Sequence, residues 1–423
     1  METDNVYVLE TSPMNTRLSS LKPSLWQRPE VLLILLSIAM PLSFSTWQAL
    51  LNNFAIERAQ FTGAEIGILQ SLREVPGFLA FSVIFLLLFV REQPLALMAL
   101  VVLGVGTAAT GFFPSEMGLY VTTVVMSIGF HYFETLRQSL ALQWLDVDKA
   151  PVVLGRMVSA GSFAGMVAFA LIWLSLDVFA FDMVWVYVAG GGLTVAVTVW
   201  CWLAFPRFKG HAEQHKHLVL RKRYWLYYAL TFLWGARRQI FVVFAGFLMV
   251  EKFGFNAGAM SLMFLATSAM TIWFSPKVGR LIGRLGERRV LIIEYAGLIF
   301  VFLAYAFVDD AALAVGLYLL DHLFFAMSFA SKTYFQKIAD PQDIASTSGV
   351  SFTINHIAAV VIPVVFGHLW VSDHSLVFLA GAGMAAGSLG LAFLIPHNPT
   401  QGGETILSAP PLAAVVAEAS VGE

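Results

Sequence analysis

Seven of the 25 lysines and arginines sit inside long apolar runs: Arg73, Arg137, Arg156, Arg237, Arg238, Lys277 and Lys332. A cation at the centre of a lipid-spanning helix costs about 2.5–3.5 kcal/mol on insertion scales, so it usually faces a bundle interior or a water-filled path and marks function. Acids and imidazoles accompany these cations. Ser127, His131, Glu134 and Gln138 fall on one stripe at 100° per residue, with Arg137 one turn from Glu134. Asp321, Ser328 and Lys332 form a second stripe. Arg237-Arg238-Gln239 lies between Trp234 and Phe241, and Gln70, Arg73 and Glu74 precede Pro76. Ser37, Pro41, Phe44, Gln48 and Asn52 make a narrow polar line, as do Ser348, Ser351 and Asn355, with His356 beside them.

These types suit two kinds of chemistry. Glu134 and Asp321, with His131, are the groups expected to take up and release a proton, because burial and a neighbouring cation act on a carboxyl in opposite senses. Arg237, Arg238, Arg137 and Lys332 suit an anionic substrate, with hydrogen bonds from Gln48, Asn52 and Asn355 and an apolar surface from Trp234. The charge count points the same way. Five cations (Arg73, Arg137, Arg237, Arg238, Lys332) stand against three acids (Glu74, Glu134, Asp321), which leaves two positive charges to be met by a small organic anion. The alternative for Glu134–Arg137 and Arg73–Glu74 is an ion pair that only fixes packing, and for His131, His322 and His356 a hydrogen-bonded core position.

Other chemistry is disfavoured. Cys201 is the only cysteine. His211, His215 and His217 lie among Lys and Arg in Pro206–Arg223, which reads as a basic segment on anionic headgroups rather than a metal site. No Gly-x-x-x-x-Gly-Lys-Ser/Thr motif is present, so ATP is not the expected driver. No metal and no cofactor is expected. The net charge of −2 gives nucleic acid no electrostatic hold.

The elements that carry these residues follow from composition. The chain is 58% hydrophobic and 12% charged, with a mean hydropathy of +0.76. That is half the charge of an ordinary soluble domain, too little to cover a water-facing surface. Twelve apolar runs between Glu30 and Pro396 are each long enough, at about 20 residues, to span a bilayer as a helix. Residues 1–29 and 397–423 read as mobile tails, 30–205 and 224–396 as two six-helix bundles, and 206–223 as the loop between them. Sixteen Lys and Arg lie in the N-terminal tail and the loops on its side, against Arg58 and Lys252 opposite. Both termini are therefore expected in the cytoplasm, on a multi-pass protein of the plasma (inner) membrane.

A shift of 194 residues lays the second half on the first, matching Glu57 with Glu251, Arg58 with Lys252, Phe61 with Phe255 and Gly155 with Gly349. Copies with an even number of crossings share one orientation, a parallel repeat about an axis along the membrane normal. On this layout the chain resembles the major facilitator superfamily of secondary transporters. The sharpest local match runs from Gly279 to Arg289, where Gly279, Leu281, Arg284, Gly286 and the basic Arg288 and Arg289 follow the family's loop signature; Gly283 stands where Asp is usual. The copy near Arg91-Glu92-Gln93 is eroded. Gly161-Ser162-Phe163-Ala164-Gly165 matches a family antiporter motif weakly and reads first as close helix packing.

The resemblance implies an all-α fold of twelve transmembrane helices in two six-helix bundles. It also implies a gating role for Gly279, Arg284, Gly286 and Arg288, a small-molecule substrate moved by alternating access, and a monomer. An ion gradient, H⁺ first, or simple facilitation would drive it. Efflux of neutral or amphipathic compounds, and a non-transporting sensor or assembly factor, are the alternative readings of the same fold. A membrane enzyme would need a catalytic cluster that the dispersed polar residues do not form.

Overall fold

In the computed structural model, residues 26–145, 150–208, 220–340 and 343–408 are described. The Arg- and His-rich part of the central loop, with His211, His215 and His217, and the last fifteen residues, 409–423, lie outside them. Twelve helical crossings account for almost all the rest. They are α1 (Pro29–Ala59), α2 (Gly63–Phe78, continued after a bend by Ala80–Leu87), α3 (Glu92–Thr110), α4 (Glu116–Trp144), α5 (Ala150–Trp173, ending in a wide π-helical turn) and α6 (Met183–Ala204). The second half comprises α7 (Lys222–Glu251), α8 (Ala257–Leu285), α9 (Glu287–Ala306), α10 (Ala311–Ile338), α11 (Ile344–Ser372) and α12 (His374–Ala392). Ten of these are long and apolar enough on their own to cross a bilayer, and the bent α2 is an eleventh. The twelfth is α4, whose mid-helix Glu134, Arg137 and His131 lower its apolar character.

The starts of the helices have a local cause. Each even-numbered helix begins at a residue whose side chain accepts from a free backbone N–H of the first turn. These caps are Thr62, Ser115, Asp182, Asn256, Asp310 and Asp373. All six lie on the face away from the chain ends. That face is acidic partly because three of its caps are aspartates.

The repeat is visible in the backbone. Gly63 opens α2 and Ala257 opens α8; Ala150 opens α5 and Ile344 opens α11; both pairs are 194 apart. The turn after α1 passes through Gln60 (φ +56°) and that after α7 through Gly254 (φ +66°). Phe61 N–H then reaches back to the Ala55 carbonyl at 3.0 Å and Phe255 N–H to that of Met249 at 3.0 Å.

The halves meet along α2–α11 and α5–α8, with α1 against α7 and α8. Ser71 Oγ accepts from Val364 N–H (3.1 Å), Asn53 Nδ2 donates to the Phe255 carbonyl (2.7 Å) and Asn256 Nδ2 to Asp177 (3.2 Å). These contacts lie in the half of the protein away from the termini. There α2 and α11 approach backbone to backbone. A Cβ on Gly67 would collide with the Pro363 carbonyl, and one on Gly367 would stand 3.0 Å from Gly67 Cα. Small residues permit that approach.

The chain past Pro396 is not a free tail as far as Ser408. Tyr334 Oη donates to the Glu404 carbonyl (2.6 Å), Gln401 Nε2 to that of Ala339 (2.8 Å), and Glu404 and Thr405 are buried. No apolar run marks this docking in the sequence, because it is made by polar and backbone groups.

Candidate functional site

Between the halves lies a cavity of about 450 Å³, walled by α1, α4, α5, α8 and α10. Ser37, Ser45 and Gln48 of α1, Ser162 of α5 and Thr267, Ser268 and Thr271 of α8 give it hydroxyl and amide groups. Met40, Phe169 and Phe264 give it apolar surface. Among the described residues, Arg137 is the only lysine, arginine, aspartate or glutamate on its wall, and His322 is the nearest other titratable group. Arg137 is held by Glu134 in a two-point contact, Nε to Oε1 at 3.1 Å and Nη2 to Oε2 at 2.8 Å. Both side chains are partly exposed, 22% and 32%.

The two adjacent arginines of α7 part company, as neighbours 100° apart on a helix must. Arg238 lies over the Trp234 ring (5.7 Å), which stacks on Phe325, and interacts with Glu74 of the first half. Arg237 turns into the second half, only 3% exposed, with its guanidinium 4.7 Å from the Tyr295 ring centre. It is therefore absent from the cavity wall. Asp321, also buried, interacts with Arg237, and so does Glu294 of α9. Glu294 was not among the residues expected. Its signal in the sequence is a lone acid in an apolar run, with no polar stripe around it.

The remaining expected residues scatter. Asn52 faces Gly246 and Asn355 faces Gly235, both on α7. Lys332 is exposed, over the Phe329 ring at 5.6 Å. His131 joins Glu74 and His356 at the α2–α4–α11 junction, where their ligand atoms lie within 4.8 Å of one another. The donor types match a metal site, but the charge does not. Arg73 is bonded to Glu74 and Arg238 acts on it, so a divalent ion would sit beside two guanidiniums and one carboxylate.

Gly279, Arg284, Gly286 and Arg288 rim a surface cavity of about 690 Å³ on the termini face. Gly286, at φ +79°, ψ 161°, takes a conformation that only glycine adopts without strain. The ion contact here is Lys337 to the buried Glu287 (2.7 Å), which ties α9 to α10. Beside it Arg221 binds Asp343 (3.1 Å), Tyr224 Oη donates to the same carboxylate (3.0 Å), and Arg223 bridges Asp343 (3.3 Å) and Asp340.

The hydrogen bond from Arg221 holds the Asp343 carboxyl below its ordinary range, with Tyr224 and Arg223 adding to the effect. A depressed acid contributes stability that is complete above its unfolded pKa of about 4 and is lost as pH falls through the folded value. Melting temperature is accordingly expected to fall on acidification more steeply in the wild type than in Asp343→Asn. Parallel curves for the two proteins would show that Asp343 carries no such linkage.

With this geometry in view, the comparisons with known proteins are informative. The sequence pattern of the Major Facilitator Superfamily matches residues 31–363. No curated protein matches the chain in sequence. Among solved structures, the nucleoside transporter NupG superposes with a TM-score of 0.68 at 17% identity, covering 86% of this chain and 98% of that one. A bacterial homolog of the human lysosomal transporter Spinster, in an inward-facing and occupied conformation, gives 0.71 at 12% identity, covering 90% and 98%. An auto-inhibited peptide transporter of the POT family gives 0.66 at 15%, covering 86% and 96%.

Proposed function

Since the chain belongs to the Major Facilitator Superfamily and is a membrane transporter rather than an enzyme, we propose that its substrate is a small organic anion, moved by alternating access and coupled to H⁺. The observation that carries this reading is the cavity wall, where, among the described residues, the single Lys, Arg, Asp or Glu is the cation Arg137. Glu134 neutralises it in the present state. A proton on Glu134 frees the guanidinium, and a substrate carboxylate then takes the vacated two-point contact. Proton and anion thus enter together. The hydroxyls of α1, α5 and α8 serve the remaining polar groups of the substrate, and Phe169 and Phe264 its apolar part.

Glu294 supplies a fourth acid and Lys332 is exposed, so five cations against three acids become four residues of each kind inside the bundle. The anion reading now rests on Arg137 alone.

The excess of Lys and Arg on the termini face supports a cytoplasmic orientation for that face, and the plasma (inner) membrane is the proposed location. The cavity belongs to a state closed on the far side, as the α2–α11 contacts support. The test is uptake into proteoliposomes of a panel of hydroxylated carboxylates, their amides and organic cations, with and without an imposed pH gradient. Gradient-stimulated uptake confined to carboxylates is expected. Transport of amides or cations alone would overturn the anion reading.

A further inference from the structure

Arg237, Glu294 and Asp321 form a sealed charge cluster inside the second half, each at most 5% exposed. Both carboxylates interact with Arg237 and with each other. The two terminal guanidinium nitrogens of Arg237 and Oε2 of Glu294 have no hydrogen-bond partner. The other titratable groups around them are Tyr295 and Tyr305 of α9 and Tyr318 and His322 of α10, none of which brings a fixed charge. One cation therefore faces two acids. Two ionised carboxylates beside one guanidinium would leave a net negative charge in a dry interior, which is costly.

The fold itself does not call for this cluster. The corresponding stretches of the first half, Ser43–Phe44, Ala99–Leu100 and Met126–Ser127, hold no ionisable residue. The same backbone packs there with neutral side chains, so a purely structural need would be met more cheaply.

At 1.5 Å per residue Glu294 lies about 18 Å, and Asp321 about 15 Å, from the ends of their helices at the short α9–α10 turn, so the two acids stand at nearly one depth. His322, next to Asp321, lines the cavity.

We propose that Glu294 and Asp321 hold one proton between them beside Arg237. Whichever carboxyl carries it, Arg237 stays cationic and the cluster stays neutral. Glu294 thereby shares the proton-binding part expected of Asp321 in the proposed transport reaction, and that part of the inference rests on the coupling reading above.

The shared proton is read without any substrate, by infrared spectroscopy of the purified protein at neutral pH. A protonated-carboxyl band equivalent to one group, shifted in D₂O, is expected. Glu294→Gln and Asp321→Asn should each abolish it, because the remaining acid then ionises against Arg237. Arg237→Gln should double it. Absence of the band in the wild type, or its survival in either single variant, overturns the shared proton. Each variant is checked first for an unchanged melting temperature, and Glu294→Asp serves as the conservative control that keeps the band. In proteoliposomes Glu294→Gln should lose pH-driven accumulation and keep exchange. Intact accumulation alongside the expected spectra would sink the part of Glu294 in coupling while leaving the shared proton standing.

Discussion

Arg137→Gln is expected to lower uptake by about tenfold to a hundredfold at sub-saturating substrate. The charge-assisted contact it removes is worth about 1.5–3 kcal/mol, and 1.4 kcal/mol is a factor of ten. Protein stability should change little, because both partners of the Glu134–Arg137 pair are partly exposed and such pairs contribute about 1 kcal/mol or less. Arg137→Lys should recover part of the activity, since it keeps the charge and loses the fork. Glu134→Gln leaves Arg137 permanently free, so substrate should bind more tightly and lose its dependence on pH. Arg137→Gln uptake equal to wild type, in protein with normal expression, would remove the cation from the substrate site.

The second large effect is expected at the α2–α11 contact. Gly67→Val puts an isopropyl group, three extra carbons, against the Pro363 carbonyl and Gly367. Overpacking of this kind costs about 1–3 kcal/mol, and the cost falls only on the state in which this face is shut. A population shift of up to about a hundredfold toward the state open on that side follows. Transport should fail because one half of the cycle is disfavoured. A cysteine at Thr62, in a Cys201→Ser background, should react faster with a water-soluble reagent in Gly67→Val than with Gly67 intact. Equal reactivity and normal transport would show that this approach is not a gate. Gly67→Ala, with one methyl, should lie between the two.

Much of the architecture could be read from the chain before its structure. The 194-residue shift, the twelve apolar runs and the Gly279–Arg289 loop all rest on backbone-level demands: bilayer thickness, turn conformation and a glycine at positive φ. The sites were harder. A helical wheel gives angles about one axis and does not say which neighbour stands opposite. Arg237 and Arg238 looked like one cationic patch, whereas one serves the interior of its own half and the other the seam between halves. The wide turn at Ile240–Ala245 adds to the difficulty, because it rotates everything beyond it. Phe241, read as framing the arginines, packs on Tyr305 and Tyr318 instead. Glu294 has no polar stripe to mark it, because a single partner contributed from another helix leaves none.

Each half is fastened to itself at the face where the two halves stand apart. In the first, Gln27 Nε2 donates to the Ala204 carbonyl (2.7 Å), tying the start of α1 to the end of α6, and Gln93 joins α3 to Pro206 and Phe208. In the second, the chain after α12 runs back to Tyr334 and Ala339 of α10 and comes within 4.0 Å of Arg223 at the start of α7. A barrel hooped at its open rim cannot splay stave by stave. The motion expected of each half is then a swing as one stiff oar blade rather than flexing at single helices, with the glycine seam on the opposite face as its rowlock.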